Sequence, residues 1–247
     1  MQLFCRTVAD PDAARAQPSV ADEVAGLADY GLAGVQLPAP FPLWRIAAPN
    51  AISPQLLALL SEEERGRAAR FHTDPLRHRY CAAHGALRLL GEIYAGVAAK
   101  DQRFERNAWG KPRLAGFATT QCSISYSGDS ALIAWTTGPE IGVDLEMVRP
   151  IEDASDLMTL HYTPGEQTEV LRQGRDPSAF DRSFLIVWVR KEACAKALGK
   201  GLGIALSSFD CGVGPGMRTI EIDGRLVDTN VMNINGRLIA AWARCCH

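Results

Sequence analysis

Apolar and polar side chains alternate along Ile141-Gly142-Val143-Asp144-Leu145-Glu146, the pattern of a short strand with Asp144 and Glu146 on one face and Val143 and Leu145 on the other. The pattern changes from about Phe184. No Gly or Pro intervenes before Gly199, and Trp188, Glu192 and Lys196 recur at every fourth position, which predicts a helix carrying all three on one stripe. If strand and helix pack together, three carboxylates and an ammonium converge. Clustered carboxylates repel one another, and a hard divalent cation with oxygen preference relieves that repulsion; Mg²⁺ suits few carboxylates plus water or phosphate oxygens, with Mn²⁺ as the alternative.

The same reading orders the rest of the chain. Leu43-Trp44-Arg45-Ile46 reads as a first strand, and Ser53-Pro54 opens a leucine-rich segment. Ser61-Glu62-Glu63-Glu64 matches a capping box ahead of a basic helix with Arg65, Arg67 and Arg70. A longer amphipathic stretch, Leu76 to Val97, places Tyr80, Ala83, Leu87, Leu90 and Tyr94 on one side, with Arg77, Arg79 and Arg88 elsewhere. A strand at Gln102 to Arg106 leads into the turn Asn107-Ala108-Trp109-Gly110-Lys111-Pro112, and Ser130 to Thr137 is an apolar strand. The tail predicts strands at Ser208–Cys211, Thr219–Ile222, Asn230–Ile234 and Leu238–Arg244, with Asp223-Gly224 and Asn235-Gly236 as hairpin turns. Residues 1–40, punctuated by Asp10-Pro11, Pro18, Pro38 and Pro40, read as an extension or lead-in segment with a short helix within Val20 to Leu32. A strand, helices and strands occur twice, in 43–137 and in 141–244.

Composition narrows the class. At 247 residues, 47% of them apolar and 22% charged, the chain suits one large or two ordinary globular domains. The net charge of −2 argues against a general nucleic-acid binder. Charge is nevertheless uneven, since residues 61–113 carry eleven basic against seven acidic side chains. A basic half facing an acidic half suits a phosphate-rich ligand held against a carboxylate cluster. The seven cysteines, Cys5 and Cys194 among them, form no C-x-x-C pair, which predicts a reduced, cytoplasmic protein. No apolar run is long enough to span a bilayer, and the five histidines lack zinc-site spacing.

The pair G-V-D-L-E at 142–146 and W-V-R-K-E-A-C-A-K at 188–196, in this order and about forty-five residues apart, resembles the signature of the 4′-phosphopantetheinyl transferases. The likeness is to the monomeric two-lobed type that activates surfactin synthetase. W-G-K-P at 109–112 and G-K-G-L at 199–202 are further matches, and the likeness covers the chain from about residue 43 onward. It implies an α+β fold of two pseudo-symmetric lobes with the cofactor in the cleft between them. The boundaries would be 41–137 for a basic, coenzyme A-binding lobe and 138–247 for the lobe with the metal site and catalytic helix.

What the resemblance implies for residues is specific. Asp144, Glu146 and Glu192 would hold Mg²⁺, Glu192 would also act as base for the acceptor serine, directly or through water, and Lys196 would stabilise or protonate the leaving phosphate. Asp144 and Lys196 thus join Glu192 as catalytic groups. Arg67, Arg79, Lys111, Ser125, Tyr126 and Lys196 would bind coenzyme A, with Arg70 less firmly placed. Trp188 would pack, and Lys191, about 100° around the helix from Glu192, receives no catalytic role. The family's usual S-H-S donates from histidine to the 3′-phosphate; this chain has Ser125-Tyr126-Ser127, whose phenol can donate one hydrogen bond but carries no positive charge. Met158, Leu160 and Tyr162 lie where relatives meet the carrier protein, and core packing would explain them about as well. The expected partners are acyl or peptidyl carrier proteins and coenzyme A, with no nucleic acid, no membrane and a monomeric chain. Two rivals share many of these features: a Mg²⁺-dependent phosphotransferase with another acceptor, and a non-catalytic carrier-binding homologue.

Overall fold

The computed structural model describes residues 19–174 and 176–246. The Asp10-Pro11 and Pro18 breaks and Cys5 lie outside the described residues. Helix α1 (Val20–Ala28) begins where Ser19 and Asp22 close a capping box, and strand β1 (Ala33–Gln36) pairs antiparallel with β2 (Leu43–Ala47). The segment read as lead-in is therefore built into the first lobe from residue 19 onward. Leu27 is buried in that lobe's core, and Tyr94 donates to Glu23 at 2.5 Å.

Helices α2 (Pro54–Leu59), α3 (Glu62–Ala68) and α4 (Asp74–Ala95) follow, then the hairpin β3 (Phe104–Arg106) and β4 (Pro112–Leu114). Strands β5 (Thr120–Ser127) and β6 (Ser130–Thr137) complete a four-stranded antiparallel sheet of order β1-β2-β6-β5. The second lobe begins with β7 (Ile141–Met147) and continues through α5 (Ala154–His161), α6 (Pro164–Arg172) and α7 (Pro177–Ala197). It ends in β8 (Gly216–Ile222), β9 (Arg225–Ile234) and β10 (Leu238–Cys245), in a sheet of order β7-β10-β9-β8. The fold is α+β, two lobes each built on an antiparallel sheet with one long helix. Among the described residues no helix is long and apolar enough to cross a membrane.

One device appears in both lobes. Ser61 and Glu64 form the expected capping box of α3, and Glu64 also takes Arg88 Nε at 2.8 Å and His84 Nδ1 at 3.0 Å from α4. In the second lobe Thr163 and Glu166 cap α6, while Glu166 pairs with Lys191 of α7 at 2.9 Å. Each capping glutamate thus pins a short helix to the long one. Arg88 is buried for this reason.

Differences from the sequence reading have local causes. Helix α7 starts at Pro177 rather than near Phe184, because proline at the first turn loses no needed N–H. Ser208–Cys211 is not a strand. The chain there curls round the Arg190 guanidinium, which donates to the carbonyls of Cys211, Gly212, Gly214 and Gly216 at 2.7–3.0 Å. The two hairpin turns are as expected, with Asp223, Gly224, Asn235 and Gly236 all at positive φ. A third apolar core joins the lobes, formed by Leu43, Leu132 and Ala134 against Ile141, Val143, Leu145 and Trp242.

Candidate active site between the lobes

Strands β5 and β7 belong to different sheets and meet through serine side chains. Ser123, Ser125 and Ser127 alternate along β5 and so share a face. Val143 N–H donates to Ser123 Oγ at 3.0 Å and Met147 N–H to Ser127 Oγ at 2.9 Å. Ser125 Oγ donates to Asp144 Oδ1 at 2.8 Å and Ser127 Oγ to Glu146 at 3.0 Å. Ser123 and Ser127 thus satisfy an edge strand's backbone, while Ser125 and Ser127 aim two carboxylates. The sequence reading singled out Ser125 alone; the signal for the others was the period-two serine repeat.

Helix α7 crosses β7 at Gly142. A Cβ there would collide with the backbone of Ala193, Lys196 and Ala197, so only glycine admits the helix this close. The close approach brings Lys196 Nζ to 2.6 Å from Asp144 Oδ1 and 3.3 Å from Ser125 Oγ. Glu192 is half-buried one turn earlier. Burial raises its carboxyl; Lys196 opposes the rise, and the charges of Asp144 and Glu146 add to it. Glu146 is raised likewise, by burial and then by Asp144.

The expected acids are therefore electrostatic neighbours. Among the described residues, however, no group of three His, Cys, Asp or Glu side chains is drawn together closely enough to hold a metal ion. Lys196 supplies the positive charge beside Asp144.

The other wall comes from the first lobe. Gly199 caps α7 at φ +67°, and the β3–β4 hairpin docks on that cap: Asn107 Nδ2 donates to Gly199 O at 2.7 Å and Lys111 Nζ to Ala197 O at 3.1 Å. A cation at the carbonyl end of a helix is favoured by the helix dipole. Burial lowers the Lys111 pKa, against the pull of Glu140. Between hairpin and helix lies a cleft of about 310 Å³ whose lining includes Arg67, Arg106, Lys111, Tyr126, Glu192 and Lys196. Arg106, at the end of β3, was not nominated from the sequence because an exposed strand-end arginine has no distinctive pattern.

Not every expected residue faces this cleft. Ser125, expected beside a phosphate, is buried and turned to Asp144, because that face of β5 joins β7. Arg79 stands with its guanidinium 5.8 Å from the centre of the Tyr126 ring and donates to Gly128 O at 2.8 Å, outside the cleft lining. Tyr126 does line it, but its hydroxyl lies 3.0 Å from Nε2 of the buried His84. Arg70 is exposed on α3's end and does not line it. Trp188 packs as expected, stacked on Phe184 and edge-on to His161. Lys191 is fully buried, donating to Leu206 O and Phe209 O besides its pair with Glu166. Of the apolar residues weighed for partner contact, Met158 and Tyr162 are core and Leu160 is exposed.

A cleft lined by Arg67, Arg106 and Lys111 on one wall and by Glu192 and Lys196 on the other suits an anionic, phosphate-bearing ligand on a two-lobed α+β fold. The family model of the 4′-phosphopantetheinyl transferase superfamily matches residues 140–228. The chain is 36% identical over 165 residues to the 4′-phosphopantetheinyl transferase HetI of Nostoc sp., covering 65% of this chain and 69% of that protein. It is 29% identical over 156 residues to the 4′-phosphopantetheinyl transferase ffp of Bacillus subtilis, covering 63% and 67% of the two chains. Against the 4′-phosphopantetheinyl transferase Sfp of Bacillus subtilis strain 168 the identity is 26% over 155 residues, with 63% and 67% covered. The chain belongs to the 4′-phosphopantetheinyl transferase superfamily and is an enzyme of that transferase class.

Proposed function

We propose that this enzyme transfers the 4′-phosphopantetheine arm of coenzyme A to a serine of an acyl or peptidyl carrier protein, releasing adenosine 3′,5′-bisphosphate. The observation that carries the reading is one cleft lined by Arg67, Arg106 and Lys111 from the first lobe and by Glu192 and Lys196 from the second. Three cations suit a ligand with a diphosphate and a further phosphate. A base and a lysine one turn apart suit attack and departure at one phosphorus.

Asp144 Oδ2 is buried with no hydrogen-bond partner. A buried carboxylate oxygen without a donor is costly, and an all-oxygen set fits a hard cation. Asp144, Glu146 and Glu192 would therefore hold Mg²⁺ or Mn²⁺. When bound, such an ion supplies neutralisation of the diphosphate and helps to orient it. The chain's own groups do the rest. Arg67, Arg106 and Lys111 bind phosphate oxygens and fix the ligand against the α7 cap. Glu192, its pKa raised, takes the proton of the attacking serine hydroxyl, directly or through water. Lys196 turns from Asp144 to the departing phosphate oxygen and holds or protonates it.

One chain supplies both walls, which supports a monomer. Neither nucleic acid nor membrane enters the reading. The described cysteines are all free, which favours a reducing, cytoplasmic setting. The test is the intact mass of an apo carrier protein after incubation with the enzyme, coenzyme A and Mg²⁺, beside an EDTA control. A metal-dependent gain of one phosphopantetheine is expected. No gain on any of several acyl and peptidyl carriers, with coenzyme A still bound, would overturn the acceptor assignment.

A further inference from the structure

Glu64, His84 and Tyr126 form a line of hydrogen bonds that starts in the first lobe's interior and ends in the cleft. Glu64 Oε1 lies 3.0 Å from His84 Nδ1, and His84 Nε2 lies 3.0 Å from the Tyr126 hydroxyl. The groups facing the imidazole are Glu64 and Arg67 from α3, Tyr80 from its own α4, Arg106 from β3 and Tyr126 from β5, with Arg88 acting on it through Glu64.

The hydrogens along this line can be counted. Burial pushes the Glu64 carboxyl up, but hydrogen bonds from His84 and the Ser61 N–H and the charge of Arg88 outweigh it and hold the pKa at about 2. Glu64 is therefore an acceptor only, and His84 Nδ1 must carry a hydrogen towards it. Burial also lowers the His84 pKa, partly against Glu64, and Arg106 and Arg67 lower it further. A neutral imidazole has one N–H, so Nε2 is bare and accepts the single hydrogen of the Tyr126 hydroxyl. The phenol then shows the cleft only lone pairs. Lone pairs repel a phosphate oxygen.

We propose that a phosphate group binds at Tyr126 with uptake of one proton by His84, the tyrosine hydroxyl turning from His84 to the anion. A solvent proton adds to Nε2, Nε2–H then donates to the Tyr126 oxygen, and the tyrosine keeps its own hydrogen and directs it to phosphate. No covalent bond other than N–H changes. The relay gives a neutral side chain at the cleft wall the effect of a cation behind it. The inference rests on the coenzyme A reading and adds to it a residue, His84, that does not touch the ligand and acts by setting the hydroxyl's direction.

The test is calorimetric titration of coenzyme A into the intact enzyme at pH 8, in two buffers of different ionisation enthalpy. Nitrogen-detected NMR of His84 is recorded in the free and bound enzyme. The expected result is uptake of about one proton per coenzyme A, an affinity that rises about tenfold per pH unit lowered, and both His84 ring nitrogens protonated in the complex. Tyr126→Phe, which keeps the ring under Arg79, should abolish the uptake. Dephospho-coenzyme A tells the sources apart: loss of uptake assigns the terminal monoester to Tyr126, and retained uptake assigns the diphosphate. Binding without proton uptake, uptake unchanged in Tyr126→Phe, or a His84 that stays neutral in the complex would overturn the proposal. Failure of coenzyme A to bind at all would instead remove the functional reading on which it stands.

Discussion

Lys196 Nζ lies 2.6 Å from Asp144 Oδ1, one residue on α7 and the other on β7, and the same lysine lines the cleft. The lysine holds the acids together while leaving Asp144 Oδ2 without a partner. Asp144, Glu146 and Glu192 would hold a cation there, and Lys196, no longer needed by Asp144, would be free to turn towards phosphate. Lys196→Met should lower turnover of carrier modification by about a hundredfold. Coenzyme A affinity, measured by calorimetry, should fall much less, because Arg67, Arg106 and Lys111 remain.

Glu192→Gln keeps shape and removes the base. Transfer should be abolished with coenzyme A still bound, and near-normal turnover would refute the assignment. In the unaltered enzyme a base must be deprotonated to act, and burial holds the Glu192 pKa above the usual carboxylate range. Activity should therefore fall as pH drops through that raised value. Raising the Mg²⁺ concentration should move the limb to lower pH, since a bound cation favours the carboxylate.

Gly142 is where β7 and α7 touch. Gly142→Ala places a methyl group against the backbone of Ala193 and Ala197, which cannot retreat as a flexible side chain would. Overpacking of this kind costs about 2–3 kcal/mol. Urea unfolding should show the loss. Turnover should fall as well, because lifting α7 separates Lys196 from Asp144. Val143→Ala, a cavity on the opposite face, should lose comparable stability and retain more activity.

The Glu64 network predicts acid sensitivity of the fold. Its folded pKa is about 2 against an ordinary 4.5, so its stabilisation is complete above about pH 4.5 and disappears as pH falls towards 2. That is about 2–3 kcal/mol after allowing for partial exposure. His84, with a lowered folded pKa, adds a loss that begins as pH falls below its ordinary 6.5. Thermal unfolding across this range should show both limbs. In Glu64→Gln the acid limb should flatten, at the cost of lower stability near neutrality because the buried Arg88 loses its carboxylate.

Local chemistry made much of this protein legible in its sequence. A continuous apolar run defined β6 with its bounds, period-two alternation defined β7 with Asp144 and Glu146 on one face, and fourfold spacing put Glu192 and Lys196 on one stripe of α7. Ser61-Glu64 announced a helix start, and Asp223-Gly224 and Asn235-Gly236 announced hairpins, because each signal acts over two to four residues. The family motifs nominated Lys111 and the acids on similarly short strings. Partner choice across the fold was decided only by tertiary structure. Nothing local marks Arg190 as the hub of four carbonyls more than twenty residues away, and that hub is what replaced the expected strand at Ser208–Cys211. Nor does it mark β1 as the edge of the first sheet, or the serines of β5 as the seam with β7. Glu64, His84 and Tyr126 come from a helix start, a long helix and a strand, and each reads locally as a cap, a core histidine and a strand tyrosine. Their hydrogen bonds join residues twenty and forty-two positions apart, so their meaning depends on which surfaces pack, and packing is set by the whole chain at once.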